Sequence, residues 1–128
     1  MPASKIVIDT SVVIELIKGN LAVTQKVNTY EVILVSPIVL SELYFGAYRS
    51  ANPKKHLKKI KLALTKSTVL PINSTTTKTF VSIKVALYAK GNVIPDNDIW
   101  IASAAMQKRL PLYTNDKHFK RINGLLLD

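Results

Sequence analysis

Five short runs rich in valine, isoleucine and leucine, residues 5–8, 32–35, 68–71, 112–114 and 125–127, recur along the chain, and helical patterns fill the gaps between them. Strands that alternate with helices join most readily in parallel through crossovers. The expected fold class is therefore α/β, with a mostly parallel central sheet of about five strands flanked by helices. The helical patterns cover residues 11–18, 21–30, 37–49 with Ser36 as N-cap, 53–66, 75–90 and 96–109, with a short turn at 116–121. No repeat, low-complexity tract or Gly/Ser linker interrupts them, and 128 residues suffice for one compact core, so residues 1–128 are expected to form a single domain.

Open parallel sheets bind ligands outside the carboxyl ends of their strands, which directs attention to the residues that close each strand. Asp9 ends the first run, and Asp116 follows the strand ending at Thr114 by two residues. Both should lie on one sheet edge. Asp96 and Asp98 open a helix, where an acid can cap free N–H groups and complement the macrodipole. Asp96 is read as such a cap. Glu42 resists that explanation, because it sits well inside the segment beginning at Pro37 and its neighbours three and four residues away are Ile38, Val39, Phe45 and Gly46. No cation waits there to make it an ordinary surface pair. Gly46, one turn on, costs helix stability but leaves room beside Glu42 for a ligand or a close backbone.

Carboxylates that converge at a sheet edge repel one another unless a divalent cation neutralises them. The chain has no cysteine and only His56 and His118, both read as solvated, so the metal must rest on oxygen ligands. Hard cations so held activate water and stabilise the charge that develops on a phosphodiester. The charge pattern agrees. The formal net charge is +10, yet residues 43–95 hold ten Lys/Arg and no acid, while the remainder holds eight of each sign. Such a field gathers phosphate polyanions or an acidic partner protein. Lys54, Lys55, Lys58, Lys59 and Lys61 interleave with Leu57, Ile60 and Leu64, as on an amphipathic helix whose outer face is free to guide RNA or simply to be solvated. Tyr44, Tyr48, Tyr88 and Trp100 are read as core or interface residues. No apolar run approaches the roughly 18 to 20 residues of a membrane span, and Asp9, Glu15 and Lys18 interrupt any signal-peptide core, so a cytoplasmic location is expected.

Four stretches together carry a resemblance: Ile6-Val7-Ile8-Asp9-Thr10-Ser11; Ser41-Glu42-Leu43 with Gly46; Ile94-Pro95-Asp96-Asn97-Asp98-Ile99-Trp100-Ile101-Ala102; and Leu112-Tyr113-Thr114-Asn115-Asp116 with Phe119. In this order and over nearly the whole length, the chain resembles the PIN-domain nucleases, and among them the short VapC-type toxins of type II toxin–antitoxin modules. The resemblance implies a Mg²⁺- or Mn²⁺-dependent endoribonuclease, with Asp9, Glu42, Asp98 and Asp116 at the family's acidic positions and Thr114 at its site hydroxyl. Asp9 and Asp98 would be direct metal ligands, Glu42 would bind or orient water at the metal, and Asp116 would hold a second metal or the water network. Asn115 would orient a neighbouring carboxylate or cap a helix. The partners implied are an RNA substrate, a cognate antitoxin and a second copy of the chain, with no membrane. Two other readings stay open: a PIN nuclease of RNA processing with no antitoxin, and a catalytically silent RNA-binding regulator. A glycine-rich phosphate loop is absent, which disfavours nucleotide-dependent chemistry.

Overall fold

The computed structural model describes residues 4–128. Its elements run β1 (Lys5–Ile8), α1 (Thr10–Ile17), α2 (Leu21–Asn28), β2 (Val32–Val35), α3 (Pro37–Tyr48), α4 (Pro53–Ala63), β3 (Ser67–Val69), α5 (Ser74–Ala89), α6 (Asp96–Gln107) and β4 (Leu112–Tyr113), followed by a 3-10 turn over Lys117–Arg121. The four strands form one sheet in the order β3-β2-β1-β4, parallel throughout. Ile6, Val7 and Ile8 are fully buried because β1 is central and covered on both faces, which is why it reads as an unbroken apolar run.

Local chemistry starts each helix where the sequence places it. Asp9, Asn20, Ser36, Asn52 and Asn73 each accept a hydrogen bond from a backbone N–H of the first turn that follows. Pro37 and Pro53 stand in the first turn of α3 and α4, where a missing N–H costs nothing. Helix α6 packs small residues, Ala102, Ala104 and Ala105, into the core, and Trp100 stacks on Phe80 of α5 with ring centroids 4.0 Å apart. The packing role expected of Trp100 is thus borne out.

Three expectations are corrected. Residues 125–127 do not form a fifth strand: contact with the sheet is reduced to one bridge between Leu112 and Leu127, flanked by bonds from Leu112 N–H to Leu126 and from Asp128 N–H to Leu112. The edge they meet, β4, is only two residues long, so it offers no ladder to extend. Asp96 does not cap α6; the residue before the helix is Pro95, which has no side-chain acceptor, and Asp96 instead pairs with Lys84 at 3.0 Å. Of the core-or-interface reading of Tyr44, Tyr48 and Tyr88, the core half is corrected, because α3 and α5 turn these rings outward.

Candidate active site

The parallel register sets the site. Ile8 lies opposite Tyr113, so the residues that follow, Asp9 and the segment Thr114–Asp116, leave the sheet at the same carboxyl edge. Asp9 is 3% exposed and both of its oxygens are engaged. Oδ1 accepts from Ser11 Oγ at 2.7 Å and from Val12 N–H at 3.1 Å, and Oδ2 accepts from Thr114 Oγ1. Helix capping and site placement are therefore one arrangement at this residue. Thr114 Oγ1 in turn accepts from the Asp116 N–H at 2.9 Å, and Ser11 Oγ accepts from the Asn115 N–H at 3.1 Å. The strand ends of β1 and β4 are thus laced together by two hydroxyls. Asn115 contributes its backbone; the cap of the 3-10 turn is Asp116, whose Oδ1 accepts from the His118 N–H at 2.9 Å.

From the opposite side α3 delivers Glu42, held by a hydrogen bond from Thr10 Oγ1 at 2.7 Å, and α6 delivers Asp98 from its first turn. Asp98 Oδ2 and Asp116 Oδ1 both face the His118 imidazole, whose Nδ1 lies 3.4 Å and 3.2 Å from them. Among the described residues, donor atoms of Asp98, Asp116 and His118 form the one group of three close enough to hold a common metal ion, all within 4.8 Å of one another. Asp9 and Glu42 stand outside that trio, each tethered by its own hydroxyl partner.

Electrostatics ties all four acids together. Burial pushes the Asp9 carboxyl above the ordinary carboxylate range; hydrogen bonds from Thr114, Ser11 and Val12 oppose the shift, while the charge of Asp116 adds to it. Asp98 is raised as well, by burial first and then by the charges of Asp116 and Glu42, with His118 pulling the other way. Among the described residues, no lysine or arginine lies within ion-pairing distance of Asp9, Glu42, Asp98 or Asp116, although the chain carries ten more positive than negative charges. In so basic a protein, four converging carboxylates that no lysine or arginine among the described residues pairs with leave much of the neutralising role to something else. His118 Nδ1, a buried ring nitrogen with no hydrogen-bond partner, points the same way. This donor set fits a divalent cation.

A groove of about 370 Å³ opens beside Glu42 between α1, α3 and α4, lined by Thr10, Ile14, Gly46, His56 and Lys59 among others. A side chain at Gly46 would meet nothing, so the glycine keeps this groove wide and brings no backbone close. Lys54, Lys55 and Lys58 are exposed on α4 along with Lys59 at the groove. On the other flank Lys117 and Lys120 border a second depression together with Thr114 and Asp116.

All five residues expected at the site, Asp9, Glu42, Asp98, Thr114 and Asp116, gather at this edge. His118, expected to be solvated, is only partly so: its side chain is 41% exposed, but Nδ1 is buried beside Asp98 and Asp116. The available signal is its place two residues after an acid that itself follows a strand end.

Comparison with known proteins identifies the family and the fold. A sequence model of the PIN domain matches residues 6–125. Ribonuclease VapC1 of Rickettsia felis is 36% identical over 124 residues, covering 94% of this chain and 92% of that protein. The crystal structure of VapBC2 from Rickettsia felis, bound to a DNA fragment from its promoter, superposes with a TM-score of 0.92 at 27% identity over 97% of both chains. DNA-bound VapBC from Salmonella typhimurium superposes with a TM-score of 0.91 at 26% identity, covering 98% of this chain and 97% of that one.

Proposed function

The chain belongs to the PIN-domain family, and from that premise we propose that it is a metal-dependent endoribonuclease toxin of the VapC type, which cleaves cellular RNA and is restrained by a cognate antitoxin. The carrying observation is the convergence of Asp9, Glu42, Asp98 and Asp116 at one sheet edge, where no lysine or arginine among the described residues pairs with them. In this reading residues 1–128 are one nuclease domain acting in the cytoplasm, as a homodimer. Among the described residues no helix is long and apolar enough to cross a membrane.

A bound Mg²⁺ or Mn²⁺ supplies charge neutralisation, activation of water and stabilisation of the negative charge that develops on the phosphodiester. The residues supply the placement. Asp98 and Asp116 would hold the ion. Asp9, fixed by Ser11, Val12 and Thr114, places its negative charge at the same edge. Thr114 couples the two strand ends, since it donates to Asp9 and accepts from the Asp116 backbone, so its loss would loosen both carboxylates. Glu42, oriented by Thr10, takes up the proton of the attacking water or directs its lone pair. The lysines of α4, together with Lys117 and Lys120, draw in the polyanion that the acidic site alone would repel.

The test is expression of the protein beside its Asp9→Asn variant, with sequencing of the RNA ends produced. New ends at defined positions with wild type, absent with a folded Asp9→Asn protein, are expected. Equal cleavage by both would remove Asp9 from the reaction.

A further inference from the structure

Resting on the reading of this site as a metal centre, we propose that His118 is itself a protein ligand of the ion, through Nδ1, and that the nitrogen donor biases the site toward Mn²⁺ over Mg²⁺.

Three observations carry the assignment. The first is spacing. Two ligands held about 2.1 Å from an octahedral ion at right angles stand about 3.0 Å apart. His118 Nδ1 lies 3.2 Å from Asp116 Oδ1 and 3.4 Å from Asp98 Oδ2, close to the edges of such an octahedron. The second is direction. An imidazolium that merely bridged two carboxylates would aim its N–H at one of them. Nδ1 instead is buried within 3.4 Å of both acids yet makes no well-aligned hydrogen bond to either.

The third observation is that the backbone carrying the ring is held in place. The His118 N–H donates to Asp116 Oδ1, which fixes the turn to one of the proposed ligands, and the next residue, Phe119, is anchored in the core at 1% exposure. Carboxylate and water suit Mg²⁺ and Mn²⁺ alike, whereas imidazole is a softer donor that Mg²⁺ accepts poorly. One nitrogen among oxygens should therefore separate the two ions.

The test uses the full chain with Mn²⁺ as the probe. Pulsed electron paramagnetic resonance of the wild-type protein with Mn²⁺ should show nitrogen coupling from a directly bound imidazole, and the signal should change when histidine is labelled with ¹⁵N. His118→Asn should abolish the coupling and weaken Mn²⁺ binding in calorimetry by tenfold or more, while Mg²⁺ binding falls less. His56→Asn should leave both unchanged. The wild-type spectrum needs no variant to fold. Tight Mn²⁺ binding and RNA cleavage without histidine coupling, or coupling that survives in His118→Asn, would overturn this inference and leave the nuclease reading standing. A wild-type protein that binds no Mn²⁺ and cleaves no RNA with either ion would overturn both.

Discussion

Asp9 and Asp98 are ionised at a cost to the fold, because burial and neighbouring charges raise both carboxyls above the ordinary value of 3.8. An acid whose native pKa stands above its unfolded value binds its proton more tightly when folded, so stability is lost as pH rises from the unfolded value through the native one. In the absence of metal, these two groups should therefore favour the fold as pH falls from 7 into the mildly acidic range. Thermal melts in chelator at pH 7 and pH 5 check this: Asp98→Asn should melt higher than wild type at pH 7, and the difference should shrink at pH 5. A variant that melts lower at both, or a gap that does not change, would contradict the account. The roles of single residues are unevenly legible from sequence. Asp9, Glu42, Asp98 and Asp116 stand out because acids are few and lie at strand ends or on apolar helices. His118 does not, because its approach to Asp98 depends on how tightly the turn folds back, which Asp116 and buried Phe119 decide.

Helix ends show how local chemistry and tertiary demand divide at the scale of the element. Helices α1 and α5 close with Gly19 and Gly91 in the left-handed region, each followed by the paired back-bonds of a Schellman motif. Helix α6 closes in the same way, with Arg109 N–H bonded to Met106 and Leu110 N–H to Ala105, but the left-handed residue is Arg109 at φ 55°. A side chain there costs about 1 kcal/mol or more, and glycine returns part of that gain through the entropy of the unfolded chain. Arg109→Gly should accordingly raise the melting temperature by a few degrees with no change in RNA cleavage. A lower melting temperature would mean that the arginine side chain holds α6 or the chain end by contacts worth more than the strain. Helix starts are legible to within a residue or two because an Asn, Ser or Asp cap marks each of α1 to α5. The supposed strand at 125–127 reads wrongly because three consecutive leucines satisfy an apolar pattern whether or not a partner edge exists, and β4 is too short to provide one.

At the scale of the whole molecule, charge and chemistry occupy different parts of the chain, and this makes their contributions separable. The acid-free stretch from 43 to 95 builds α4, whose Ile60 is buried while Lys54, Lys55, Lys58 and Lys59 face solvent, so these four lysines can be changed without disturbing the core. If they contact phosphates, Lys-to-Gln changes at all four should lower the slope of log affinity against log salt by up to about 3, given about 0.7 per phosphate on single-stranded RNA. Cleavage per bound complex should hold at saturating RNA, because none of the four is bonded to a site acid. Glu42→Gln reverses the pattern: the salt slope stays, while the chemical step falls, since Thr10 then holds a neutral amide where the carboxylate stood. The groove between Glu42 and Lys59 makes the contrast sharp, as one wall serves the reaction and the other the polyanion. A quadruple lysine variant that keeps the wild-type salt slope would move the RNA path to the opposite flank, past Lys117 and Lys120, and the same measurement on Lys-to-Gln changes at those two positions would then show the missing counterion release.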